Sequence, residues 1–425
     1  MGRKVRRLFG VLAGVVMLAS AATQPVQAAA PGWAGETIIG AGDTWEPFVA
    51  TDPGAPFVYA IYNNFSGPKG CNTCPSPYMV VRASGDNGAT FGPEVRLCSC
   101  AHIGFQYDPV VQVTSTGVVD AVYMNDYTIV FSKSSDHGAT WSTPLKVSGK
   151  ISSDKPWLGI SPNGTDVYIT WTKGTGGDLY ESHSHDGGAT FSTAQLIGTQ
   201  TGTHYFYSNG LAVLPSGAAV MSASLYPGSN RQTSGVITIT TFRTTNGGVS
   251  WTRSNVDTVS SSVDFDTSST TTVDADAAGT LVLEYSGATV TGGNGHIYVR
   301  RSIDGGVSWS ARIELTPATG GGNASFPAIA GGASGVFRLS WMEQRAGSWN
   351  VFYRASTDGG VSWTVETDIS DASGGASYKT AAGFTSPYGD YDGIAITNTG
   401  KTIAVMGEGV SFGTGPGNVW LNRQT

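Results

Sequence analysis

The chain has 425 residues and a formal net charge of −7, with only 13% charged residues, 59 glycines and 11 tryptophans. This length is ample for a large core, and the glycine-rich, weakly charged composition suits a turn-rich β protein rather than a helical or disordered one. The acidic balance excludes nucleic acid and anionic membrane surfaces as natural partners.

In chain order, the first element is a leader. Arg3, Lys4, Arg6 and Arg7 precede the apolar run 8–22, and "VQA" ending at Ala28 offers a small-residue cleavage site. The pattern predicts an export signal over residues 1–28 and a mature, secreted single domain over 29–425. "RRLF" at 6–9 weakly resembles a twin-arginine signal, so the export route stays open between the two systems. No later stretch approaches roughly 18 uninterrupted apolar residues, so a soluble, monomeric mature protein without membrane insertion is expected.

All four cysteines follow within one region, as "CNTC" (Cys71, Cys74) and "CSC" (Cys98, Cys100). In an exported chain an even, clustered set favours disulfides over a zinc site. Bridges between the two segments are expected, because a bond inside either motif would close a very small, strained ring.

From there the chain repeats one phrase. "SGDNGATF" begins at Ser84, "SSDHGATW" at Ser134, "SHDGGATF" at Ser184, "TTNGGVSW" at Thr244, "SIDGGVSW" at Ser302 and "STDGGVSW" at Ser356. Its third residue falls at Asp86, Asp136, Asp186, Asn246, Asp304 and Asp358. At that position a side-chain oxygen accepts backbone N–H groups of a tight turn, while a following glycine takes the positive φ that other residues resist. The terminal aromatic then starts the returning strand. Alternating runs such as "DVYITW" at 166–171 and "NVFYRAS" at 350–356 precede the turns, which is the strand period. A hairpin recurring every 50 to 60 residues is the spacing of a β-propeller blade.

The six phrases resemble the Asp-box, or bacterial neuraminidase repeat, of the sialidase-like superfamily. The resemblance covers nearly all of the mature chain, and only Asn246 departs from the Asp position, with an amide oxygen that still accepts. It implies an all-β propeller in which each box closes the turn between the third and fourth strands, on the face opposite the ligand-binding mouth. Three strands after the last box, in 388–396, 402–409 and 417–423, lack a fourth partner. "ETIIGA" at 36–41 would supply it, giving seven blades closed by an N-terminal strand that removes the free sheet edges, with six blades as the alternative.

In that architecture the mouth is formed by the starts of the innermost strands, which read "WEP" at 45–47, "YDP" at 107–109, "DKPW" at 154–157, "YFYSN" at 205–209, "FPA" at 326–328 and "GDYD" at 389–392. Glu46, Asp108, Asp154 and Asp390 are therefore the candidate catalytic residues, since gathered like charges raise some pKa values and supply both an acid and a base. The same ring would suit calcium, the one cofactor the sequence suggests. A plain reading also exists, in which each acid before a proline closes a turn between blades. The loops between second and third strands add Tyr127, Arg231, Glu343, Arg345 and Trp349 as candidate ligand contacts, because aromatic faces and planar donors suit sugars and their carboxylates.

The sialidase catalytic set is not matched. The first-blade arginine expected before a proline is replaced by Glu46, and the Asp-x-Arg expected next is replaced by "IYNN" at 61–64. Sialic acid release is therefore not expected. Two function classes stand: a secreted enzyme acting on extracellular glycans or glycoconjugates, possessing a modified carboxylate pair, and a non-catalytic propeller that binds glycan or protein.

Overall fold

The computed structural model describes residues 29–67, 74–98, 104–174, 176–228, 234–262, 270–317, 321–371 and 376–425. The leader expected over 1–28 lies outside them. Among the described residues there is no helix and there are six antiparallel sheets, an arrangement consistent with a β-propeller.

The alternating runs form strands because their inward residues pack between neighbouring sheets. The first sheet runs Thr44–Thr51, Val58–Asn64, Tyr78–Ser84 and Val95–Arg96. The order of four adjacent antiparallel strands recurs from Gln106–Val113 and again from Ser153–Ile160. An eight-stranded sheet holds two such sets, joined by the single Ser260–Ala288 pairing. In the sheet that starts at Asn323–Gly331, a short hairpin of Lys379–Thr380 and Gly383–Phe384 is added, which the sequence reading missed because two-residue strands show no alternation. Gly417–Arg423 in the last sheet pairs with the N-terminal strand Thr37–Gly40, where "ETIIGA" suggested a strand.

First strands of successive sheets pack side by side, Thr44–Thr51 against Gln106–Val113 and onward to Asn323–Gly331 against Gly393–Ile396. Gly393–Ile396 in turn packs against Thr44–Thr51. Ile39, Val49, Val58 and Tyr62 share an apolar cluster with Ile403, Val405 and Leu421, so the first and last sheets bury a common core.

Each repeated phrase closes a turn by the same bonds. Asp86 Oδ1 accepts from the Thr90 backbone N–H at 2.8 Å and its Oδ2 from the Thr90 hydroxyl at 2.6 Å, while Ser84 Oγ accepts from Gly88 N–H at 2.9 Å. Asn246 keeps the pattern with its amide oxygen, which accepts from Ser250 N–H at 3.0 Å, and its Nδ2 donates to the Ser250 hydroxyl. Hydrogen bonding holds Asp86, Asp136, Asp304 and Asp358 down to about 2. These acids therefore complete turns and stay charged at neutral pH.

Asp120 behaves in the opposite sense. It is fully buried in Val119–Asn125, both carboxylate oxygens lack a hydrogen bond, and Lys133 Nζ stands 3.9 Å away. Burial outweighs the lysine and pushes its pKa up to about 7. Because an unfolded aspartate titrates near 4, the folded chain holds a proton between about pH 4 and 7 that the unfolded chain releases. This contribution is present below that window and lost as pH rises through it. Asp120→Asn is expected to reduce the stability loss between pH 4 and pH 8 by about 2–4 kcal/mol, read from urea unfolding at both pH values. An unchanged slope in the variant would show that Asp120 is not the titrating group.

Candidate active site

In four inner strands the third or fourth residue is followed by proline, and the structure gives that residue a shared and unusual backbone. Glu46, Asp108, Lys155 and Phe326 have φ of 52°, 56°, 54° and 54°, and Gly210 occupies the matching place at 56°. At each place the pairing with the second strand slips, between Trp45 and Phe48, Tyr107 and Val110, Asp154 and Trp157, Asn209 and Leu211, and Ser325 and Ala328. A bulge re-aims one side chain out of the pleat. Left-handed non-glycine residues cost about 1–3 kcal/mol each and persist where surrounding structure over-determines them.

The bulge side chains meet in a cavity of about 670 Å³. Glu46 Oε2 accepts from the Asp108 backbone N–H and from Asn63 Nδ2, both at 2.9 Å. Asp108 Oδ2 in turn accepts from Lys155 N–H at 3.3 Å, so each carboxylate orients the bulge of the next sheet. Lys155 Nζ lies 3.8 Å from Asp108 Oδ1, donates to Asp390 Oδ2 and stands 4.7 Å from the Tyr391 ring centroid. Aromatic walls are supplied by Trp45, Tyr107, Trp157, Tyr207, Tyr226 and Phe326.

Electrostatics divide these groups. Burial first, then the charges of Asp108 and Asp390, hold Glu46 well above the usual carboxylate range. Burial and Asp108 do the same to Asp154. For Lys155 burial works downward, but Asp390, Asp108, Asp154 and Glu46 together keep its pKa well above the ordinary lysine value, so it is charged. Tyr391 is raised by burial and then by the surrounding carboxylates, which keeps its phenol neutral and makes it a hydroxyl donor rather than a phenolate nucleophile.

The sequence candidates thus separate. Glu46, Asp108, Asp154, Asp390 and Tyr127 line the cavity. They stand at the sheet ends opposite the repeated turns: Thr44 pairs toward Asn64 and Tyr78 at one end, Thr51 toward Val58 and Ser84 at the other. Glu343, Arg345 and Trp349 are not among the lining residues. Arg345 is held by Glu343 at 2.7 Å and by Glu366 at 2.7 Å, and Glu343 also accepts from Trp341 Nε1 and Gly322 N–H. Arg345 Nε, Nη1 and Nη2 all donate to the Glu343 and Glu366 carboxylates, so the guanidinium is committed within the protein. Trp349 is buried behind Phe326. Arg231 lies outside the described residues.

Lys155 and Asp392 were missed as site residues. The signal for Lys155 is in the sequence: it is the residue before proline, in register with Glu46 and Asp108, one position after the acid Asp154. For calcium, Glu46, Asp108 and Asp390 do offer oxygens within 4.8 Å of one another. The Lys155 ammonium engages two of the three and supplies the positive charge a hard cation would bring, so the donor set does not fit one. Cys74 and Cys98 are both disulfide-bonded, while Cys71 and Cys100 lie outside the described residues.

No family model matches the chain, and no curated protein matches it. Solved structures do. A PL25 ulvan lyase bound to -[GlcA(1-4)Rha3S]- superposes with a TM-score of 0.56 at 12% identity, covering 91% of this chain and 95% of the lyase. A protein of unknown function from Dyadobacter fermentans gives 0.50 at 14% identity, covering 92% and 99%. A Hadza microbial sialidase gives 0.48 at 13% identity, covering 82% and 73%. At such identities the likeness is one of fold.

Proposed function

We propose that the chain is a secreted, carbohydrate-active propeller of the sialidase-like kind that cleaves glycosidic bonds in its axial cavity. The convergence of Glu46, Asp108 and Asp390 beside Lys155, within aromatic walls, carries this reading. Seven blades closed by Thr37–Gly40 are the supporting architecture, favoured by the Thr37–Gly40 pairing and by the core shared between the first and last sheets. The six repeated turns are read as Asp-boxes, and the basic, apolar leader supports export. The ulvan lyase likeness supports a polysaccharide as the ligand class.

Glu46, Asp108 and Asp390 bring carboxyl oxygens within 4.8 Å of one another, which places an acid and a carboxylate close enough to act on one glycosidic bond. Glu46, with its raised pKa, is the proton donor to the leaving oxygen. Asp390, held beside the Lys155 ammonium, is the anionic partner that attacks or stabilises the sugar cation. Trp45 and Trp157 offer ring faces for stacking.

A second reading, glycan binding without cleavage, is favoured by the Lys155–Asp390 pair, which occupies the nucleophile. Incubation of purified protein with a glycan panel, with reducing ends quantified, separates the two. Cleavage is expected, falling about a hundredfold or more in Glu46→Gln. Binding without release would favour the second reading, and neither binding nor release would remove the glycan assignment.

A further inference from the structure

The cavity's charge and its uncommitted polar atoms narrow the sugar it takes. Glu46, Asp108, Asp154, Asp390 and Asp392 line it against the single cation Lys155, with no arginine or histidine among the lining residues. That cation is already engaged by Asp390 and Asp108. An anionic sugar would therefore enter a site with no free cation to receive it, and like charge in a desolvated pocket is strongly disfavoured.

Four polar atoms of the wall are buried without a hydrogen-bond partner: Asp390 Oδ1, Asp392 Oδ2, the Tyr391 hydroxyl and Trp45 Nε1. Tyr391 lines the cavity, is only 4% exposed, and has no partner within the protein for its hydroxyl. Buried polar groups left unpaired are costly, and a ligand recovers that cost by pairing with them. Two belong to acids, Asp390 and Asp392, and since burial and the nearby Glu408 and Asp390 hold Asp392 well above the usual carboxylate range, a cation placed there would relieve it. Two want an acceptor, the phenol and the indole. Around them stand aromatic rings, whose faces attract an ammonium that the carboxylates also hold.

Resting on the reading of this cavity as a glycan site, we propose that it recognises a sugar bearing a free ammonium, an unacetylated 2-amino-2-deoxy sugar within an oligosaccharide. Its ammonium donates to Asp390 Oδ1 and Asp392 Oδ2. Its hydroxyl or ring oxygens accept from Tyr391 and Trp45. N-acetylation removes the charge and adds bulk at the same atom, while a uronate inverts the charge.

The test is calorimetric titration of the full mature protein with glucosamine, N-acetylglucosamine and uronic acid oligomers of equal length. The glucosamine oligomer is expected to bind about tenfold tighter than the N-acetylated one, and Asp392→Asn to shrink that preference to about threefold or less. Equal or tighter binding of the N-acetylated or uronate oligomer would overturn the inference and leave the glycan reading standing. A preference for glucosamine that survives Asp392→Asn would also overturn it, since general attraction to an acidic protein would then explain the effect. Failure of every oligomer to bind the folded protein would remove the glycan reading itself.

Discussion

Lys155→Met is expected to lower the unfolding free energy by about 3–5 kcal/mol at pH 8, because removing one partner from a buried charge cluster leaves the others uncompensated. The lysine side chain is 18% exposed and bridges Asp108 and Asp390, with Glu46 and Asp154 close enough to share its field. Methionine keeps the length and loses only the charge. The pH dependence follows in sign. The raised lysine pKa means its contribution is fully present below the ordinary lysine value, near 10.4, and so throughout pH 5–8. In the variant, Glu46 and Asp154 lose the one cation that lowers their pKa values, so both rise further. A raised carboxyl destabilises as pH climbs through the window between its unfolded and folded values. The loss should therefore be smaller at pH 5 than at pH 8. Chemical unfolding at the two pH values checks both statements, and a loss below about 1 kcal/mol at pH 8 would mean that water already screens the cluster.

The same lysine shows how far the sequence alone reaches. Strands were legible in runs such as those within Val167–Lys173 and Ser348–Ser356, because β-branched and aromatic residues bounded by the repeated turns mark a strand that packs between sheets. The turns were legible because Asp, Gly and an aromatic must recur at fixed offsets to make the bonds seen at Asp86 and Asn246. The cavity acids were legible through position rather than periodicity, since each inner strand opens at the mouth. Lys155 was not picked out, because composition weighs a basic residue against the acidic theme and Asp154 stood beside it. The left-handed bulge that selects the residue before proline is a backbone event, and one sequence does not display it. Glu343 and Arg345 failed for another reason: their usefulness to a ligand depended on whether Glu366 would neutralise the guanidinium, and Glu366 lies 21 residues away in the chain. Side chains that meet across strands through long-range pairing carry no local signature.

Lys379→Met should have a comparable effect on stability, of about 3–5 kcal/mol, but through the N-terminal strand rather than the cavity. Lys379 is 2% exposed, donates to Glu36, approaches Glu408 at 2.8 Å and lies 4.1 Å from the Trp420 ring centroid. Glu36 immediately precedes Thr37–Gly40, and its Oε2 also accepts from Asp371 N–H at 2.8 Å, while its own N–H donates to Asp371 Oδ2. One ammonium thus ties the N-terminal segment to the hairpin beside it and to Thr402–Gly409. Burial and the facing Glu408 push Glu36 up, opposed chiefly by the lysine and, more weakly, by the Asp371 N–H. Without it, two buried carboxylates confront each other, and the strand they anchor is expected to open. Amide exchange in Thr37–Gly40 and in its partner Gly417–Arg423 should quicken before that of Val119–Asn125 changes. Because the cost arises from uncompensated charge rather than lost shape, the triple variant Lys379→Met, Glu36→Gln, Glu408→Gln should recover more than half of it, a non-additivity characteristic of contacting groups. Retained protection of Thr37–Gly40 in Lys379→Met, or a triple variant worse than the single one, would show that the backbone pairing holds this strand without the ion cluster.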